Sequence, residues 1–361
     1  MTRVAVIGGG IAGVSAAAEI APYASCILFE AEPVLGYHAS GRSAAMFAQS
    51  YGNATVKALS AASKATHVTA EVLRPRGLMM LALKGEELRF EQDCAEMNLQ
   101  IMPVPEARDR VPIVHKDIVL TAFHDGALDL DTDKLLQGFA RVARSAGAEI
   151  RLGDRVSVRK GAGNWIIKAN RSEIAFDIVV NAAGAWSDWI AERAGIPPVG
   201  LTPHRRSVAR LPAPGGHDVR DWPMLFGPGE SWYAKPDAGG WLVSPAEEHP
   251  VEPMDAWADD LVLAEGIARY EAHVTEPVTR VETSWAGLRT FAPDRTLVIG
   301  EDPSQSGFFW LAGQGGYGFQ TAPAAARLLA DLVLGRKPDL DEAIVNALSP
   351  ARFDKEKLSA K

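Results

Sequence analysis

Apolar and polar positions follow two textures along the chain. Residues 4–7, VAVI, form a continuous apolar run of strand length, and the small residues VSAAAEIA follow a glycine-rich break as a helix. A second run, CILFE, ends at Glu30, so about residues 2–30 read as one strand–helix–strand unit. Residues 36–52, GYHASGRSAAMFAQSYG, are Gly/Ser-rich and open a helical stretch near 53–73. The run LMMLAL at 78–83 predicts a buried strand, a helix follows around 85–97, and VLTAFHDGALDL at 119–130 reads as a strand and a turn. Asp131 or Thr132 then caps a helix to about Ala146, which Gly147 ends. EIRLG, RVSVRK, NWIIKA and IAFDIVVNAAG are strand-like runs separated by turn residues, a β-meander leading to a buried strand at 177–182. From about 201 to 282 prolines, aromatics and alternating stretches such as SWYAKP and GWLVSP predict an antiparallel sheet. Residues 285–300, WAGLRTFAPDRTLVIG, turn back toward the first unit. GFFWLAGQGGYGFQ then runs into the helix TAPAAARLLADLVLG, with Pro323 in its first turn, and ARFDKEKLSAK reads as a frayed polar tail.

The break after the first strand carries chemistry. Gly8, Gly10 and Gly13 have the Gly-x-Gly-x-x-Gly spacing, placed between a strand and a helix, and Glu30 lies 17 residues past Gly13 at the end of the next strand. Gly8 permits the tight turn, Gly10 lets backbone approach a pyrophosphate, and Gly13 lets the helix pack close to the strand. The helix start, including Ile11 and Ala12, directs unpaired N–H groups at phosphate, and a carboxylate at Glu30, next to Ala31, accepts hydrogen bonds from ribose hydroxyls. The ligand this pattern predicts is an ADP moiety, as in FAD or NAD. A second glycine-rich strand–turn–helix at 308–334 exceeds what a simple NAD dehydrogenase needs.

Composition narrows the class without deciding it. A chain of 361 residues with 47% hydrophobic and 23% charged residues matches a globular enzyme of two domains. A net charge of −8 with interspersed signs argues against nucleic acid as the partner. Two cysteines, Cys26 and Cys94, suggest no disulfide framework and a reducing compartment, with Cys26 a small core residue. No apolar run is long enough for a transmembrane segment, and the apolar N-terminus is spent on the nucleotide turn rather than on a signal peptide. The expected location is cytoplasmic, or peripheral at the inner membrane face.

The stretches VIGGGIAG, GYHASGRSAAMFAQSYG, VNAAGAWSDWIA, PHRRSV, DWPML, ESWYAKPDAG, TSWAGLRTFAPD and GFFWLAGQGGYGFQT together resemble the D-amino-acid-oxidase superfamily of FAD-dependent amine oxidoreductases over nearly the whole chain. The resemblance is strongest to bacterial D-amino acid dehydrogenases of the D-arginine type. It implies noncovalent FAD and an α/β fold: a discontinuous FAD-binding Rossmann-like domain (1–76, 130–200 and 283–361) plus an antiparallel-sheet α+β substrate domain (77–129 and 201–282). It also implies oxidation of a C–N bond to an imine that hydrolyses.

Residue by residue, the resemblance assigns Gly41, Arg42, Ser43, Ala44, Ala45 and Met46 to the pyrophosphate and flavin ring, although Ser43 also reads as an ordinary helix cap. Val156, Ala183, Gly184 and Trp186 fall beside the cofactor, with Gly287 and the run Gly315, Gly316, Tyr317, Gly318 and Gln320. A helix N-terminus after that run favours negative charge on reduced flavin. Arg289 is the candidate for gripping a substrate carboxylate through two parallel hydrogen bonds, with Tyr233 as second partner and Arg206 as a weaker candidate. Tyr51 resembles a mobile lid residue. Gly316 and Gln320 complete the set expected at the reacting centre. The eight histidines show no metal spacing.

The chain departs from D-arginine-type relatives at Leu78, where they carry Glu, and at Met46, where they carry His. Met46, Leu78 and Phe319 predict an apolar substrate wall without an acid to meet a cationic side chain. The leading expectation is oxidative deamination of neutral or apolar D-amino acids to 2-oxo acid and ammonia. One alternative is oxidation of N-substituted glycines, sarcosine- or glycine-oxidase-like; another is a non-catalytic flavin-binding or regulatory protein. Oxygen and quinone both remain open as electron acceptor.

Overall fold

Two large sheets and two small three-stranded ones form among the described residues. The structure is a computed structural model and describes residues 1–170 and 172–353. The first sheet has six strands in the order Val298–Glu301, Phe308–Ala312, Ile178–Asn181, Arg3–Ile7, Ser25–Phe29 and Glu149–Arg151. All its pairings are parallel except that between Val298–Glu301 and Phe308–Ala312. The helices Ile11–Ile20, Thr132–Ser145 and Gly318–Val333 supply Val14, Ile20, Leu135, Phe139, Leu328 and Leu329 to a core on this sheet. Such burial of continuous apolar strands is what a parallel sheet requires.

Gly13 shows why the helix after the first strand starts with small residues. A Cβ there would lie 1.9 Å from the Gly8 carbonyl oxygen, so only glycine allows this approach. The Asp131 carboxylate accepts the Lys134 N–H at 2.9 Å, and the helix it caps runs Thr132–Ser145. Gly147 follows with φ +93°, the left-handed conformation glycine adopts readily.

The second sheet has nine strands, with Thr202–Leu211 near one end and Leu78–Leu83, Ile118–His124 and Gln100–Met102 at the other. Its pairings are antiparallel except that Met224–Phe226 runs parallel to Leu78–Leu83. Trp232, Trp241 and Tyr270 fill its core.

Several expectations shift. The helix expected at 53–73 is Ala54–Thr69, after which Leu73–Pro75 joins Leu128–Leu130 and Met46–Phe47 in a small three-stranded sheet. Glu149–Arg151, grouped by its sequence with the meander, pairs with Ser25–Phe29; only the three strands from Val156 to Phe176 form the meander. Residues 283–291, expected on the nucleotide side, instead pair with Thr202–Leu211 over nine positions of the second sheet. A helix at Asp260–Glu271 stands where only strands were expected. The last long helix begins at Gly318, which puts Pro323 in its interior rather than its first turn. Ser63 compensates for the interrupted ladder: its hydroxyl donates to the Thr321 carbonyl at 3.3 Å and accepts the Ala324 N–H at 3.1 Å. Cys26 is buried in the core. Most of the polar tail, 354–361, lies outside the described residues. Among the described residues no helix is long and apolar enough to cross a membrane.

Candidate active site

A cavity of about 360 Å³ opens where the carboxyl ends of the parallel strands meet the second sheet. At the strand ends Gly8, Gly10, Ile11, Ala12, Glu30 and Ala31 form its wall. Glu30 accepts the Gly9 N–H at 2.5 Å and the Glu32 N–H at 2.8 Å, so it also shapes the turn that faces the phosphates. The Ser40 hydroxyl accepts the Ile11 N–H at 3.0 Å. That contact was not legible in the sequence, because it joins segments 29 residues apart.

Arg42, Ser43, Ala44, Ala45 and Met46 line the middle of the cavity, with Val156, Ala183, Gly184, Trp186 and Gly287 around them. The Arg42 guanidinium is committed to protein: it donates to the Ala256 carbonyl at 2.7 Å and the Ala286 carbonyl at 3.0 Å, and it pairs with Asp255. Its work is to tie the Gly/Ser-rich segment to the second sheet. Three expected wall residues are not on the wall. Gly13 is packed on the first strand, Gly41 donates its N–H to Gly36, and the Tyr317 ring leans on Tyr51 with centroids 5.4 Å apart.

The far end brings Arg289, Arg206, Tyr51 and Tyr233 together with Gly315, Gly316, Gly318, Phe319 and Gln320. The strands set this meeting. Arg206 pairs opposite Gly287 and His204 opposite Arg289, so the two arginines project from one face of adjacent strands, two positions apart. Gly316 has no side chain for a reason: a Cβ would lie 2.9 Å from the Arg289 guanidinium carbon. Arg206 is 6% exposed, yet its Nε and Nη1 have no protein partner among the described residues. Burial, then the charge of Arg289, pushes the Arg206 pKa down. Burial presses Arg289 down too, but the facing Tyr51, Tyr233, Glu230 and Glu248 outweigh it and the net direction is upward. Burial and then Glu230 hold the Tyr51 phenol well above its ordinary value, so it stays protonated and donates to Glu230 at 3.0 Å.

Glu230 corrects the expectation of an acid-free wall. Leu78, Met46 and Phe319 do face the cavity, joined by Met224 and Phe226, but the Glu230 carboxylate faces it as well. Glu230 opens the ESWYAKPDAG stretch, but nothing in the sequence gives its direction; the left-handed turn at φ 51° after Gly229 aims it. Gln320 is held from both sides. Its side-chain oxygen accepts the Ala48 N–H at 3.3 Å, and its carbonyl pairs with the His67 Nε2 at 3.0 Å. Burial lowers the His67 pKa, which keeps that ring neutral.

Comparison with known proteins places this geometry. The family described as "FAD dependent oxidoreductase" (DAO) matches residues 3–332. The chain belongs to that family. This FAD-dependent oxidoreductase is similar to FAD-dependent oxidoreductase domain-containing protein 1 of Xenopus laevis, 30% identical over 173 residues, but the match spans 44% of the chain and 34% of that protein. It is 25% identical over 368 residues to glycine oxidase of Geobacillus kaustophilus, covering 94% of the chain and 95% of the relative. The crystal structure of that glycine oxidase superposes with a TM-score of 0.83 at 23% identity, covering 98% and 99% of the two chains, which establishes the shared fold. These likenesses are to glycine oxidases and do not support the expected D-arginine type.

The oxidoreductase's own residues fit its FAD. The helix start at Gly10–Ala12 offers the Gly10 and Ala12 N–H groups, with no partner within the helix, while the Ile11 N–H goes to Ser40. Small residues at Ala44, Ala45, Gly315 and Gly316 leave the flat space a ring system occupies. The buried side-chain amide nitrogens of Gln314 and Gln320 lack a protein partner among the described residues and lie on the cavity wall.

Proposed function

We propose that the chain oxidises the C–N bond of neutral, apolar D-amino acids. The observation that carries the reading is the pair of guanidiniums, Arg206 and Arg289, set at one end of a cavity whose adjoining wall is Leu78, Met46, Met224, Phe226 and Phe319. The substrate carboxylate takes the place between Arg206, Arg289 and the Tyr233 phenol. Its side chain lies on the apolar wall, where each buried methylene contributes roughly 0.8 kcal/mol until the space is full. Tyr51, donating to Glu230, covers the site and limits water. Bound FAD supplies the hydride acceptor. The amine, neutral when it reacts, gives its lone pair to a C=N bond as hydride leaves the same carbon; water then converts the imine to 2-oxo acid and ammonia. Positioning supplies most of the rate, and no protein nucleophile is required.

A second reading, oxidation of N-substituted glycines, is favoured by the full-length similarity to glycine oxidase. It uses the same arginine pair and places the leaving hydride on a CH2. Wild-type kcat/KM on D-Ala, D-Leu, D-Met, D-Arg and sarcosine separates the readings. A rise from D-Ala to D-Leu and D-Met, with D-Arg poor, is expected; sarcosine above every D-amino acid installs the second reading. D-Arg above D-Met makes Glu230 the receptor of a cationic side chain and refutes the apolar assignment.

A further inference from the structure

Behind the arginine pair lies a carboxylate that the cavity wall does not include. Glu248 Oε1 accepts from Arg206 Nη2 at 3.0 Å and stands 3.9 Å from Arg289 Nη1, while Oε2 accepts from Arg295 Nη2 at 2.8 Å. The turn that carries Glu248 is fastened to the strand of Arg206. Glu247, buried, accepts the Ser207 N–H at 2.7 Å, and the Ser244 hydroxyl donates to the Ser207 carbonyl at 2.6 Å. The backbone that carries Glu248 is therefore fixed by bonds outside the cavity. Partial burial would raise its pKa, but Arg206, Arg295 and Arg289 outweigh this and keep the carboxyl below its ordinary value.

We propose that Glu248 is the resident counter-ion of the Arg206–Arg289 pair and that it competes, through charge, with the carboxylate of the substrate. This rests on the reading of the pair as the carboxylate site. Two guanidiniums on adjacent strands repel each other, and a buried one without an anion is costly. In the empty site Glu248 relieves both from behind. It leaves Arg206 Nε and Nη1 without a protein partner. An arriving carboxylate meets a pair already partly neutralised, so Glu248 trades affinity for a stable empty site and for release of the anionic product. Glu248 is a positioning residue: it acts through Arg206 and Arg289 and touches no reacting atom.

The sign of the effect separates this role from a merely structural one. The holoenzyme is titrated with benzoate, followed by the flavin visible spectrum, with benzamide as neutral control. Glu248→Gln should bind benzoate about 30-fold more tightly, the change expected when one unit charge roughly 8 Å from the ligand is removed at an effective dielectric of about 20. Benzamide affinity should stay unchanged, and the thermal midpoint without ligand should fall while the rise on adding benzoate grows. Glu248→Asp should restore wild-type behaviour. Weaker or unchanged benzoate binding in Glu248→Gln, or an equal change for benzamide, overturns the proposal. If Glu248→Gln yields no folded holoenzyme, Arg295→Gln serves, because it leaves the whole Glu248 charge to the pair; benzoate must then bind more weakly, and tighter or unchanged binding overturns the proposal. A wild-type flavin that benzoate perturbs but no D-amino acid reduces refutes the substrate reading and leaves the counter-ion role standing. A wild-type flavin insensitive to benzoate overturns the counter-ion role itself.

Discussion

Replacing Arg289 by Met removes the guanidinium and keeps most of the side-chain volume. A bidentate, charge-assisted contact to a carboxylate in a partly dry site contributes about 2–5 kcal/mol by truncation. The local geometry places this case at the low end. Arg206 remains, anchored by Glu248 at 3.0 Å with Nε and Nη1 still unpartnered, so the carboxylate keeps one cation. The Arg289 side chain is also 23% exposed, which lets water replace part of the contact. The expected loss is about 2–3 kcal/mol, or roughly 30- to 150-fold in apparent KM. Methionine fits beside Gly316, so the flavin spectrum and FAD content should match wild type. Steady-state kinetics on D-Met, with FAD quantified in the same preparation, is the assay. An unchanged KM with intact flavin would refute the reasoning and hand the carboxylate to Arg206 alone.

The remaining predictions concern the cofactor and the thiols. Acid precipitation should release free yellow FAD to the supernatant; flavin that stays with the pellet contradicts noncovalent binding. Glu30→Ala should lower flavin occupancy while the chain still folds, since Glu30 both faces the cavity and accepts the Gly9 and Glu32 N–H groups; full occupancy would remove it from the cofactor site. Burial pushes the Cys26 thiol up to about 12 and the Cys94 thiol up to about 11. A raised acid pKa means that the folded state holds its proton longer, so these groups cost no stability below the ordinary thiol value and destabilise as pH climbs past it. Native protein at pH 8 should therefore alkylate slowly with iodoacetamide, and denatured protein quickly; rapid native labelling of Cys26 would contradict its burial.

Legibility in the sequence followed range. The Gly8–Gly13 turn, Glu30, the Asp131 cap and the buried runs at 4–7 and 78–83 are local patterns, and the structure forms each where the residues indicate. The Asp260–Glu271 helix was hidden because prolines, aromatics and alternating stretches across 201–282 pointed to strands throughout, and Gly266 weakens the helical pattern. Gly266 is instead a close approach, with a Cβ there falling 2.3 Å from Pro245. Strand membership of Thr283–Phe291 depended on its partner, Thr202–Leu211, some 80 residues earlier. At the site, the Arg289 and Tyr233 stretches stood out through resemblance, while the carboxylates did not. Glu230 opens the ESWYAKPDAG stretch without its direction being readable there, Glu248 sits in a turn with no local signature, and Asp255 reaches Arg42 across 213 residues of chain. Charge partners of this kind are a property of the fold, not of any window of sequence.

On the proposed reading an amino acid, held by its carboxylate at Arg206 and Arg289, gives up hydride at the carbon bearing its amine. Anaerobic mixing of the purified yellow protein with D-Leu or D-Met tests it in one step. The flavin absorbance near the visible maximum should bleach, with 2-oxo acid and ammonia formed in proportion to flavin reduced and no bleaching by the L-enantiomers. Flavin that stays oxidised with every D-amino acid and every N-alkylglycine, yet bleaches with dithionite, would contradict it.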